Sequence, residues 1–131
     1  NYRQIREESR KAIEDYDVRT TGIKQRSGLL SGGNMQKFIL ARELDKNPKV
    51  LVCSYPTRGL DIKATWFIRE TIQKSRDNGV GVVLFSGEME ELFSISDRII
   101  VLYKGRVVGE VFPEDYNAYE IGRMMMGVKA E

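Results

Sequence analysis

An α/β fold is what the sequence predicts, and three features predict it. Short β-branched runs, Lys49-Val50-Leu51-Val52-Cys53 and Val80 to Phe85, alternate with longer runs of helical periodicity. Two further apolar runs, Ile99 to Tyr103 and Arg106 to Val111, are separated only by Lys104-Gly105. The order strand, helix, strand, short helix, strand calls for a largely parallel sheet with an antiparallel tail.

Each element follows from local pattern. Residues 2–16 read as an amphipathic helix, with Ile5, Ala12, Ile13 and Tyr16 at helical spacing. Residues 17–30 are polar and glycine-punctuated, and read as a loop. After Leu30-Ser31-Gly32-Gly33-Asn34 a helix runs to about Leu44. Its residues Met35, Phe38, Ile39, Leu40, Ala41 and Leu44 cover a broad face, so deep burial is expected. Asn47-Pro48 stops it. Residues 49–53 and Val80 to Phe85 read as buried strands. Pro56 to Asp61 form a loop, and residues 62–77 a helix with Ala64, Phe67, Ile68 and Ile72 on one face. Glu88 to Ser94 form a short helix. Lys104-Gly105 is a two-residue hairpin turn. Asn117 with Glu120 makes a capping box for a last helix, which Gly127 closes.

Composition excludes several chemistries. The chain of 131 residues is 41% hydrophobic and 31% charged, enough for one modest core. There is no histidine, which removes a Ser-His-Asp triad, a His-ligated zinc and a histidine base. Cys53 stands alone and reads as a small buried hydrophobe, in a setting compatible with a reducing compartment. A net charge of +2, from 21 basic and 19 acidic residues, is too balanced for a nucleic-acid surface. Asp77, Asp97 and Asp115 are scattered and form no metal cluster. Trp66 and Met124-Met125-Met126 read as packing residues. No run approaches the length of a membrane span. The first residue is Asn, which leads us to expect a piece of a longer protein.

Ser31-Gly32-Gly33 precedes a helix, and a glycine-rich helix start attracts anions, phosphate above all. Ser31 can cap the helix or give its hydroxyl to a phosphate, and the residues alone leave both open. The longer string narrows the choice. Leu30 to Lys37, followed by Ala41-Arg42-Glu43-Leu44, resembles the signature motif and helix of ATP-binding-cassette (ABC) ATPases. Pro56-Thr57-Arg58-Gly59-Leu60-Asp61 resembles the exit of the family's Walker B strand and its D-loop. Ser96 to Leu102 and Lys104-Gly105-Arg106 resemble the strand and hairpin after its switch loop. Asn34, Pro56 to Asp61 and Glu120 to Met125 are similar to the ATPases of simple-sugar and nucleoside importers.

The resemblance implies a partial P-loop NTPase fold lacking the Walker A strand and loop, since no G-x-x-x-x-G-K-[ST] occurs. Residues 1–46 would be the helical-subdomain remnant with the signature, and 47–131 part of the α/β core. It also exposes departures. Where the family carries Asp then Glu, this chain has Ser54 and Tyr55; the switch histidine's place is Gly87. These positions match the degenerate second cassette of such importers. That implies a signature donated in trans: Ser31, Gly32, Gly33 and Asn34 would meet the phosphate of ATP-magnesium held by a partner cassette. The D-loop Gly59, Leu60 and Asp61 would link the two sites. Arg58 would face the partner or simply the solvent.

The implied partners are a second cassette and an integral-membrane permease on the cytoplasmic face. Without the strand that feeds the phosphate cradle, the isolated chain is expected to be marginal, rearranged, or homodimerised through unpaired sheet edges. The chain alone is expected to be inactive. A free-standing interaction module and an ABC-type ATPase outside transport stand as alternatives.

Overall fold

The computed structural model describes residues 1–128, which fall into two compact units, Asn1–Phe85 and the part from Ser86 onward. In the first, α1 (Tyr2–Asp15) is followed by a single 3-10 turn (Ser27–Leu29), α2 (Gly32–Leu44), β1 (Val50–Ser54), α3 (Ile62–Asp77) and β2 (Gly81–Phe85). In the second, α4 (Met89–Ile95) precedes β3 (Ile99–Tyr103), β4 (Arg106–Val111), a 3-10 turn (Pro113–Asp115) and α5 (Ala118–Met125).

β1 and β2 are parallel, joined through α3 in a β-α-β crossover, with Val50 opposite Gly81 and Ser54 opposite Phe85. α3 buries Ala64, Ile68 and Ile72, every fourth residue, which is one stripe of a helix. β1 buries Leu51 and Cys53. The strands were expected to be buried on both faces, and they are not. Val50, Val52, Val83 and Phe85 share the opposite face and are exposed, Val52 by 63%. A sheet of two strands with a helix on one side can dry only that side. Likewise the single sheet anticipated from the alternation is two two-stranded ladders, β1-β2 and β3-β4.

The α2 face is also narrower than expected. Lys37, Leu40 and Ala41 are buried, whereas Phe38 and Ile39 are 39% and 37% exposed. Gly33, Lys37, Leu40, Ala41 and Leu44 form the inward stripe, so a lysine occupies a position that periodicity reserves for an apolar residue. Trp66 is exposed and packs into no core among the described residues. α1 has no fully buried residue; its apolar side lines an open groove against Leu30, Phe38 and Ala41 of α2 and its approach.

In the second unit, β3 and β4 form an antiparallel hairpin whose turn residues Lys104 and Gly105 have φ of 46° and 75°. Two successive left-handed residues are what a tight two-residue hairpin requires. Ile99, Val101, Val111, Ile121 and Met124 make its core. Asn117 caps α5 by accepting from the amides of Tyr119 and Glu120, and Gly127 follows the helix at φ 79°. Met124 is buried, whereas Met125 and Met126 are exposed. Among the described residues no helix is long and apolar enough to cross a membrane.

Candidate functional site

The site begins where the chain turns into α2. Leu30 and Ser31 are extended, and Ser31 is the N-cap. Its Oγ accepts from the Asn34 amide at 3.4 Å and from Asn34 Nδ2 at 2.9 Å. Its carbonyl accepts the first helical bond, from the Met35 amide at 2.8 Å. The amides of Gly32 and Gly33 lie in the first turn, where a helix offers them no partner. Two backbone N–H groups and one hydroxyl therefore stand at the positive end of a helix, a donor set suited to an oxyanion. Ser31 thus does cap the helix, and capping leaves its O–H proton unspent.

The two glycines differ in what surrounds them. A Cβ on Gly32 would meet only Leu60 Cδ2, at 3.8 Å, an ordinary contact. A Cβ on Gly33 would lie 2.9 Å from Ala64 Cβ, too close to be accommodated without movement. Gly33 is thus required where the first turns of α2 and α3 touch, whatever it does for a ligand. α3 in turn is capped by Asp61, whose Oδ1 accepts from the Ala64 amide at 2.9 Å.

Between β1 and α3 the chain makes two linked turns. The Arg58 amide donates to the Tyr55 carbonyl at 3.2 Å and the Leu60 amide to the Thr57 carbonyl at 3.1 Å, with Gly59 at φ 73°. Thr57 is buried. Tyr55 has φ 48°, a left-handed conformation unusual for an aromatic residue. Its amide donates to the Phe85 carbonyl at 2.8 Å, which extends the β1-β2 ladder by one bond and holds this conformation. The Arg58 guanidinium lies 5.7 Å from the Tyr55 ring centroid, a cation–π pair on the surface. Ser54 and Tyr55 are exposed and offer a hydroxyl and a phenol. Neither has a carboxylate's charge to bind a divalent cation or its basicity to take a proton. Among the described residues no three His, Cys, Asp or Glu side chains converge to hold a metal. Gly87, the third departure, lies in the second unit between Ser86 and Glu88, where Ser86 Oγ accepts from the Glu88 amide at 3.1 Å.

Lys37 went unnoticed in the sequence as anything beyond part of a motif. Its ammonium is buried and donates to Asp17 Oδ2 at 2.7 Å and the Asp17 carbonyl at 3.0 Å, and it lies 4.3 Å from the Phe67 ring centroid. Asp17 sits at φ 47° just after α1, and the Val18 amide reaches back to Ile13 O. That is a Schellman ending, which aims the Asp17 carbonyl and side chain together. The hydrogen bond from Lys37 holds the Asp17 carboxyl below the usual aspartate range. Two residues on, the Arg19 amide donates to Asn34 Oδ1 at 2.9 Å. The end of α1 is thereby tied to α2 at Asn34 and at Lys37. The position of Lys37 on the Gly33-Leu40-Ala41 stripe was the signal that could have found it.

No family model matches the chain. It is 42% identical over 127 residues, 97% of its length, to the nucleoside import ATP-binding protein NupA of Lactococcus lactis, of which it covers 25%. To the guanosine import ATP-binding protein NupO of Bacillus subtilis it is 41% identical over 95% of its length and 24% of the relative. To the glucose import ATP-binding protein TsgD13 of Haloferax volcanii it is 44% identical over 97% of its length, again 24% of the relative. The chain thus spans about a quarter of the length of these relatives. A dimeric ATP-binding cassette solved with ADP and Pi superposes with a TM-score of 0.75 at 24% identity, over 86% of this chain and 49% of that one. An ABC-transporter cassette in its ADP conformation gives a TM-score of 0.70 at 21% identity, over 92% of this chain and 45% of that one. The fold is therefore about half of a cassette, and the chain belongs to the ABC-transporter ATP-binding domains, of which it carries a part; the relatives named above are nucleoside, guanosine and glucose import proteins.

Proposed function

We propose that the chain supplies the signature side of a composite ATP site in a nucleoside or simple-sugar importer, and that its own Walker B position does not hydrolyse ATP. The observation that carries this reading is an asymmetry inside one unit. At the start of α2, the Ser31 hydroxyl and the Gly32 and Gly33 amides remain available as donors. At the end of β1, Ser54 and Tyr55 stand where the family carries carboxylates. Donation of a signature needs the first set and makes no use of the second.

In this reading, residues 1–46 act as the helical subdomain that presents the signature, and 47–131 belong to the α/β core. The phosphate of ATP, with its magnesium held by a second cassette, approaches the α2 turn from across an interface. Gly59, Leu60 and Asp61 lie at that interface. The assembled motor docks on a membrane permease at the cytoplasmic face. The exposed apolar face of Val50, Val52, Val83 and Phe85 supports the expectation that further protein covers the sheet in the working assembly.

The test uses Gly32, because a substitution at Gly33 would disturb the α2-α3 contact and report nothing specific about phosphate. In the complete transporter, Gly32→Asp should leave folding intact and reduce ATP turnover by about a hundredfold or more, the cost of placing charge where oxyanion donors act. Turnover at the native rate in a folded Gly32→Asp protein would refute the donor reading.

A further inference from the structure

We propose that Asn34 is a positioning residue that acts through Ser31: it occupies the acceptor side of the Ser31 hydroxyl and so turns the O–H proton outward, toward an anionic oxygen. This inference rests on the signature-donor reading above and adds the group that sets the direction of the donor.

The chemistry fixes the orientation of the Asn34 amide. The Arg19 backbone N–H lies 2.9 Å from one end of it, and an N–H can only donate. That end is therefore the oxygen. The other end, 2.9 Å from Ser31 Oγ, is the NH2 group, and it donates. The Asn34 backbone N–H reaches the same Oγ at 3.4 Å. A serine hydroxyl has one proton to give and two lone pairs to receive. Here both incoming bonds come from Asn34, so the lone pairs are engaged and the proton has no acceptor among the described residues. Ser31 is exposed. What it can still do is donate, and the ligand that suits a donor beside two helix-start amides is an anionic oxygen.

Asn34 is held firmly enough for this task. The Arg19 amide that anchors its oxygen belongs to the segment whose neighbour Asp17 is bound through both its carbonyl and carboxylate to the buried Lys37. Asn34 is itself half-buried in the first turn of α2. An aspartate at this place would still accept from Arg19. It would offer no N–H to Ser31 from its side chain and would draw the hydroxyl proton inward, reversing the donor.

The experiment is a double-mutant cycle in the complete ATPase, with kcat and KM for ATP measured for Asn34→Asp, Ser31→Ala and the pair, and thermal melting recorded for each. Ser31→Ala is expected to lose about a hundredfold in kcat, as a removed oxyanion donor does. Asn34→Asp should lose about tenfold or more without a fall in melting temperature, and should add no further loss in the Ser31→Ala background. Asn34→Ala, which frees the hydroxyl to rotate, should lose less than Asn34→Asp. Native turnover in Asn34→Asp overturns the inference. So does a loss of equal size in the Ser31→Ala background, which would mean simple charge repulsion. If Ser31→Ala itself turns over normally, the donor reading falls and this inference with it; a loss in Ser31→Ala alone overturns only the role of Asn34.

Discussion

The starts of α2 and α3 lie side by side, touching at Gly33 and Ala64, and they are capped in opposite ways. Both caps accept from the amide three residues on, Ser31 from Asn34 and Asp61 from Ala64. Ser31 is neutral and keeps a proton to donate. Asp61 carries a negative charge and has none. Each helix start concentrates partial positive charge, and two of them in contact repel unless something negative is near. α3 meets that need from within, through Asp61. α2 has a neutral cap and no acidic residue in its first turn. The difference between two short loops thus separates a helix start that carries its own negative cap from one that, under the function proposed above, receives an anion.

The largest effect on folding is expected where the two helices touch. Gly33→Val should destabilise the chain by about 1–3 kcal/mol, the usual cost of overpacking, as read by urea unfolding. Ala64→Gly in the same protein should return part of that loss by relieving the contact. Gly32→Ala should stay within about 0.5 kcal/mol of the native protein. If Gly33→Val unfolds at the native midpoint, the contact that couples the two helix starts is not the reason for that glycine.

Next comes the tie that holds the α2 turn in place. Lys37→Met removes two hydrogen bonds from a buried ammonium and should cost about 1–3 kcal/mol. A pH series sharpens this. The folded-state pKa of Asp17 is depressed, chiefly by the hydrogen bond from Lys37. Its stabilisation is therefore fully present above the unfolded value of about 3.9 and is lost as pH falls through the lower folded value. Native protein should weaken between about pH 4 and the acid limit, and Lys37→Met should show less of that dependence. Equal acid slopes in the two proteins would show that Asp17 takes its stability from elsewhere.

The smallest effect should come from Asp61, and it tests the comparison most directly. Asp61→Ala removes the α3 cap and should cost about 1 kcal/mol in the same unfolding assay. Asp61→Asn keeps a capping oxygen and removes the charge, so it should cost less than Asp61→Ala. With the internal anion gone, the α2 start should depend more on an external one: sulfate should raise the melting temperature of Asp61→Asn more than that of the native chain. Equal sulfate responses would break the link between the two caps.

Much of this was written in local pattern. The bounds of α3, read as 62–77, are those observed, because Asp61 caps it and Asn78-Gly79 ends it. The hairpin at Lys104-Gly105 and the Asn117 cap followed from turn and cap chemistry in the same way. The candidate site was legible as a string, Leu30 to Lys37, and its departures at Ser54, Tyr55 and Gly87 were legible as residue types. Burial was less legible. Phe38, Ile39, Val52 and Phe85 look like core residues, and hydrophobicity alone does not say whether a neighbour exists to cover them. The roles of Lys37 and Asn34 were hidden because their partners, Asp17 and Arg19, lie 20 and 15 residues away in the chain.

The sequence by itself determined the α/β alternation, the helix starts and stops, the excluded chemistries and the family to which the motifs point, because each depends on residues close together in the chain. Only the tertiary structure decided that Gly33 is a packing requirement, that Lys37 is buried, and that the Ser31 hydroxyl has its acceptor side filled. Those are facts of which atoms meet through space: Asn34 fills the lone pairs of the Ser31 hydroxyl from three residues away, but the Arg19 amide, fifteen residues back in the chain, is what orients Asn34 to do so.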